Sequence, residues 1–452
     1  MHDATALAAA IKRGHLSATD AMEASLSAAT RLEGLGALVH LDAEMARAGA
    51  VAADAMPKGQ RGAFHGVPFL VKDLGGTARG LPQSAGSAAI RQRQAPPTED
   101  SDLMAGFRSM GLIPFGVTAT PPFGLSLTCE PEGMVPARNP WNPHITPGGS
   151  SGGAAASVAA GIVAIAHATD AAGSIRIPAA CCGLVGLKPS RGAVPGGPDF
   201  LNDLMGIASE LVLARTVRDV EAAFLGVRRA QVPVVLPANP RIALALPERC
   251  DRAQIDAAQE AAYALRDAGC ALHEMAAPDR LGAAAHDIAR QVFCASLGEF
   301  LGAMAVPEEK LPPLAAAMAE AGSASPATQL FATARQIARI SHQVEALFAA
   351  RDAIVMPVLS DRPLPVGAID LQGTDPVGHM AKMEAFAPNA ALANVAGLPA
   401  LALPFGMTDG LPVAVQLIGP VGGDLGLLRL AAMIEARAPA LAFPHPIAGL
   451  AA

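Results

Sequence analysis

An α/β fold is predicted by three features of this sequence. Apolar stretches of strand length recur along it, at residues 67–71, 113–118, 241–246, 353–358, 400–405 and 412–418. Several of them are followed by runs of helical composition, and such alternation is the pattern of a sheet layered with helices. The third feature is material for a core: 51% of the 452 residues are apolar and only 16% charged, against about 25% charged in an average globular domain. A chain of that balance folds rather than staying disordered.

The elements follow in order. Residues 3–56 read as helical, with Ser17, Ala18, Thr19 and Asp20 offering a capping box ahead of an Ala- and Leu-rich run. We therefore expect N-terminal helices over 1–60 and a core of strands and helices over 61–245. The segment 251–350 is rich in Ala, Leu, Glu, Arg and Gln and is expected to be a helical excursion that shapes a pocket wall. Residues 351–452 supply further strands and helices that complete the sheet. No fixed-period repeat or linker interrupts the pattern, so 1–452 is expected to be a single domain.

Composition also sets aside several function classes. A formal net charge of −7, one Trp and one Tyr give neither the basic stripe nor the stacking platforms of a nucleic-acid binder. The six cysteines contain no C-x-x-C pair and are too sparse for a disulfide scaffold, which fits free thiols and a cytoplasmic location. The N-terminus lacks the apolar centre of a signal peptide. The most membrane-like segment, 154–168, falls short of the roughly 20 residues that span a bilayer. We expect a soluble protein, monomeric or homodimeric, with no membrane partner.

Short motifs narrow the chemistry. Residues 149–153, Gly-Ser-Ser-Gly-Gly, match the G-x-S-x-G nucleophile elbow, but an elbow follows a buried strand, and the residues leading in carry three prolines. Residues 419–426, Gly-Pro-Val-Gly-Gly-Asp-Leu-Gly, have the wrong glycine spacing for a dinucleotide fingerprint and read as a strand-to-helix turn. Neither a phosphate-binding loop nor a zinc-binding H-E-x-x-H occurs, and the eleven histidines are dispersed. No cofactor and no metal site are expected.

A serine needs a base to act as a nucleophile. Histidine is open as that base, although no His lies in a motif that places it, and His167 reads as a packed or solvated side chain. Lysine is the other choice. Lys72 ends the apolar run His65-Gly66-Val67-Pro68-Phe69-Leu70-Val71-Lys72-Asp73, where desolvation lowers the proton affinity of an amine. Taken alone, the same residues fit a structural ion pair between Lys72 and Asp73 equally well.

Three segments together resemble the amidase signature family of amide hydrolases: G-V-P-x-x-V-K-D at 66–73, R-N-P-W-N followed by P-G-G-S-S-G-G over 138–153, and T-D-x-x-G-S-I-R-I-P-A with C-G-L-V-G-L-K-P over 169–189. Residues 388–405 and 410–419 are similar to the family's C-terminal strands. The resemblance implies a large mixed, twisted sheet flanked by helices on both faces. It further implies a triad of Ser174 as nucleophile, Ser150 as relay across a cis peptide, and Lys72 as base. The matching oxyanion hole is formed by the backbone N–H groups of Ala171, Ala172, Gly173 and Ser174. Ser151, Asp170 and Arg176 match a polar network supporting the triad, and Cys182 matches a family cysteine that reads here as an inert buried thiol. Ala172 departs from the glycine usual at its position, which restricts the backbone without removing an N–H.

Gly124, Leu125, Ser126 and Thr128 align with the family's substrate-facing loop. Ser126 and Thr128 fit either a substrate contact or hydroxyls bonded to local backbone. In the excursion, Phe293, Phe300, Phe331, Met304 and Met318 fit pocket walls and core packing equally. The implied activity is hydrolysis of linear non-peptide C–N amide bonds in small substrates through an acyl-enzyme, extending to carbamates (urethanes), aryl amides and esters. The alternative is the A-type subunit of an amidotransferase complex that supplies ammonia to a partner; residues 188–195 lack the tyrosine-containing continuation of that branch.

Overall fold

In the computed structural model, which describes residues 3–93, 95–198, 203–230, 234–369 and 371–450, the apolar stretches join in one mixed sheet of eleven strands. In chain order these are β1 (Leu38–Leu41), β2 (Val67–Lys72), β3 (Leu112–Thr118), β4 (Ile165–Asp170), β5 (Val185–Lys188), β6 (Ser209–Ala214), β7 (Arg241–Leu246), β8 (Ala271–Ala276), β9 (Ala353–Pro357), β10 (Ala400–Thr408) and β11 (Leu411–Ile418). Their spatial order is β1-β3-β2-β4-β6-β5-β10-β11-β9-β7-β8. The pairs β3/β2, β2/β4, β9/β7 and β7/β8 are parallel, and the others antiparallel.

Every residue of β2 through β6 is buried, as in a sheet covered on both faces. Helices supply the cover: Arg176–Cys182 packs on β10 and β11, Val217–Val227 on β6, and Arg252–Asp267 on β9 and β11. Among the described residues no helix is long and apolar enough to cross a membrane.

Two expected segments differ in detail. The N-terminal region is not wholly helical, because β1 pairs antiparallel with β3 between the helices Ala18–Arg31 and Ala43–Asp54. The excursion begins later than residue 251: helix Arg252–Asp267 lies against the sheet and β8 extends its edge, so the excursion proper starts with helix Asp279–Ala303. The local signals held at the N-terminus, where the Ser17 side chain accepts from the Asp20 N–H and Asp20 returns a bond to the Ser17 N–H.

From the excursion, Leu297, Leu301, Leu314 and Met318 form a separate apolar cluster with Leu125, against which Phe123 and Phe293 pack. Phe293 and Met318 are thus packing residues. Phe331 is 69% exposed and lines no wall of that cluster.

Candidate active site

Lys72 ends β2 where that strand parts from β4. The two strands are in register only at Leu70 and Ala166; two residues on, the Lys72 N–H donates to Nδ1 of His167 at 3.3 Å. The lysine side chain is fully buried, with Nζ 2.7 Å from Ser150 Oγ and 2.7 Å from Thr169 Oγ1. Burial lowers its pKa from 10.5 to about 7, against the opposing pull of Cys129, Asp170, Glu210 and Asp73. Asp73 is no ion-pair partner for Lys72. Its carboxylate accepts from Ser84 N–H, from Ser84 Oγ at 2.6 Å and from Gly86 N–H at 2.9 Å, and burial raises its pKa.

Ser150 follows a cis peptide from Gly149. A Cβ at Gly149 would lie 2.5 Å from the Thr128 carbonyl oxygen and 2.6 Å from that of Ser126, so only glycine lets the loop pass between. Ser151 fastens the loop to β4: its Oγ donates to the Thr169 carbonyl at 3.1 Å and accepts the Thr169 N–H at 3.3 Å. The Ser151 N–H donates to the carbonyl of Ser174 at 3.3 Å, which brings the second serine to the same place. The Ser150 and Ser174 hydroxyls make no hydrogen bond with each other among the described residues. The formal elbow match at 149–153 is a loop entering helix Gly152–Ala159, with no strand before it.

The turn bearing Ser174 is organised around Asp170, the last residue of β4. Its carboxylate accepts from the N–H groups of Gly173 at 2.7 Å and Ile175 at 3.1 Å, and takes Arg176 Nε and Nη2 at 2.9 Å each. Burial alone would raise this carboxyl, but the Arg176 guanidinium holds it well below the usual carboxylate range. Arg176 is itself fully buried and donates to Gln416 Oε1 at 2.6 Å, Asn394 Oδ1 at 2.6 Å and the Ala390 carbonyl at 2.8 Å. Asn394 Nδ2 returns bonds to the carbonyl and carboxylate of Asp170.

One of the four expected oxyanion donors is therefore engaged, since the Gly173 N–H is taken by Asp170. The N–H groups of Ala171, Ala172 and Ser174 have no protein acceptor among the described residues and remain open. Exposure increases outward along the constellation, from 0% at Lys72 through 2% at Ser150 to 8% at Ser174. That gradient suits a dry base and a nucleophile at the mouth.

Gly124 flanks the site: a Cβ there would meet Ser150 Oγ at 3.4 Å. Leu125 faces the excursion, its carbonyl 2.5 Å from His379 Nε2. The Ser126 and Thr128 hydroxyls are bonded locally, with no hydrogen bond to Ser174 among the described residues. They are 2.9 Å apart, and both reach the Ile369 carbonyl, at 3.4 and 3.2 Å. The two residues also border a cavity of about 390 Å³ with Glu130, Glu132, Pro312 and Leu371, which touches none of Lys72, Ser150 and Ser174. Cys182 is fully buried, its Sγ 3.5 Å from the Pro147 carbonyl, and burial pushes its pKa well up. No three His, Cys, Asp or Glu side chains form a metal-holding group among the described residues.

Three polar residues at the site were not anticipated. Thr169 stood inside a recognised motif, directly before Asp170. Asn394 and Gln416 lie in the C-terminal segments, which are similar to the family's strands and carry no motif that marks a polar role.

The Amidase family model matches residues 20–231 and 246–428, which include all the side chains just described. The 6-aminohexanoate-cyclic-dimer hydrolase of Paenarthrobacter ureafaciens is 30% identical over 495 residues, covering 97% of this chain and 95% of the relative. A solved structure of 6-aminohexanoate cyclic dimer hydrolase complexed with substrate superposes with a TM-score of 0.90 at 28% identity, covering 97% of both chains. A bacterial aryl acylamidase belonging to the amidase signature enzymes shares the fold, with a TM-score of 0.83 at 23% identity over 96% of each chain.

Proposed function

This chain belongs to the amidase signature family of amide hydrolases, and from that premise we propose that it cleaves C–N bonds of small linear amides through an acyl-enzyme on Ser174. Neutral Lys72 accepts the Ser150 hydroxyl proton as Ser150 takes that of Ser174, whose Oγ attacks the scissile carbonyl. The Ser174 side chain turns toward Ser150 for this step. The N–H groups of Ala171, Ala172 and Ser174 receive the negative charge of the tetrahedral intermediate. The proton then returns through Ser150 to the leaving nitrogen, the C–N bond breaks, and water entering by the same route releases the acid. Asp170 and Arg176 hold the turn, and no cofactor takes part.

The observation that carries this reading is the 2.7 Å contact between Ser150 and a buried amine with its pKa near 7. The enzyme acts alone or as a homodimer in the cytoplasm. Carbamates and esters fit the same chemistry, because each presents an acyl carbon bearing a displaceable heteroatom. The test is a panel of primary amides, anilides, esters and carbamates, with a cyclic diamide included because a relative is named for that activity. We expect measurable kcat/KM on at least one amide by the purified chain alone; turnover confined to a complex with another protein would overturn the reading.

A further inference from the structure

The gap between β2 and β4 is held by two buried side chains that the proposed mechanism does not use. His167 is fully buried, and its Nδ1 accepts the Lys72 N–H at 3.3 Å in place of a further sheet bond. Accepting at Nδ1 puts the ring proton on Nε2. That nitrogen has no hydrogen-bond partner among the described residues and lies 3.6 Å from Oε1 of Glu210, itself 2% exposed. The same oxygen accepts the Gly76 N–H at 2.6 Å, so Glu210 also anchors the turn that leaves Lys72. Glu210 stands directly across from Thr169 in the β4/β6 register, and Thr169 Oγ1 holds Lys72 Nζ. A Cβ placed on Gly75 would strike both Glu210 and Thr169, which shows how tightly the carboxylate is packed against the lysine's surroundings.

We propose that the buried His167–Glu210 pair is a positioning device for Lys72: the imidazole fixes the lysine's backbone where β2 and β4 part, and the Glu210 carboxyl, across the sheet from the threonine that holds the amine, fixes the turn after the lysine and acts on the amine through the buried interior. The inference rests on the reading of Lys72 as the base. A buried carboxylate stabilises a nearby ammonium across a low-dielectric interior more than it would in water. Glu210, together with Cys129, Asp170 and Asp73, thus opposes the lowering of the Lys72 pKa by burial. The other titratable groups around Lys72 are Asp73 in the following turn, Asp170 and His167 on β4, and Cys129 in the loop beside Gly152.

The test is Glu210→Gln, which keeps an acceptor for the Gly76 N–H and removes the charge. Only six lysines occur in the chain, so the titration of Lys72 can be followed by NMR on protein labelled with 13C-lysine and assigned with Lys72→Met. We expect the Lys72 titration to fall by about half a pH unit or more, and the acid limb of the kcat/KM profile to move down with it. A titration that stays in place overturns the inference whatever the activity. A titration that moves in a protein inactive on every amide upholds the pairing and instead sinks Lys72 as the base of an amidase. His167→Phe, which removes the acceptor, is expected to lower kcat about tenfold with little change in KM. His167→Asn, whose Oδ1 sits where Nδ1 was, is expected to restore most of that loss; equal damage from both variants would leave the imidazole a mere space-filler.

Discussion

A base that works near neutrality must be dry enough to lose its proton and close enough to its donor to take another. Lys72 meets both conditions, through complete burial and a 2.7 Å contact to Ser150. Because burial sets its pKa at about 7, the active neutral form gains as pH rises, and kcat/KM should climb through pH 7 toward a plateau. A profile that falls over that range would exclude a lysine base. Ser174→Ala and Lys72→Ala are each expected to lower kcat/KM by at least about 10³-fold, with circular dichroism unchanged, while Cys182→Ala retains near-normal rates because its thiol is buried and protonated. Lys72, Ser150 and Ser174 could be singled out in the sequence through motifs that resemble those of the amidase signature family, whereas residue type and spacing alone left an ion pair of Lys72 with Asp73 open. Thr169 could not be: a threonine near a strand end looks like a strand former, and only the parting of β2 from β4 turns its hydroxyl toward an amine.

Among the elements, the turn from β4 into helix Arg176–Cys182 depends on one ion pair. Both members are fully buried, so loss of Arg176 strands the Asp170 carboxylate without its cation. Arg176→Met should cost about 3–5 kcal/mol, seen as a fall in the urea midpoint with an unchanged m-value, and activity should drop with it; a variant of full stability would mean that the carboxylate finds another partner. The apolar strands β2, β3, β7, β9, β10 and β11 could be read in advance because mainly apolar residues, interrupted by few polar ones, run at strand length. The remaining strands could not. β1 and β5 have four residues each, β4 and β6, Ile-Ala-His-Ala-Thr-Asp and Ser-Glu-Leu-Val-Leu-Ala, mix polar residues into short apolar runs, and β8, Ala-Leu-His-Glu-Met-Ala, has the composition of helix. Sheet partners, not local preference, decide such segments.

For the molecule as a whole, two buried lysines shape the dependence of stability on pH. Lys188, like Lys72, is buried almost completely, with its Nζ 2.6 Å from the Pro189 carbonyl, and burial lowers its pKa to about 7. Between that value and the ordinary 10.5, the unfolded chain holds protons that the folded chain has shed, so stability rises with pH. We expect the urea midpoint to increase from pH 7 to about pH 7.8, short of the roughly 8.5 at which cysteines of the unfolded chain titrate, and Lys188→Met to flatten that slope. An unchanged midpoint in the parent protein would mean that the lysines stay charged in the fold. Besides Asp170, the guanidinium behind Ser174 takes partners from 214 to 240 positions further along the chain, at Ala390, Asn394 and Gln416. A ribosome must therefore release nearly the whole polypeptide before the turn bearing Ser174 is fully held, so a nascent chain that already carries Lys72, Ser150 and Ser174 lacks that support until its last strands emerge.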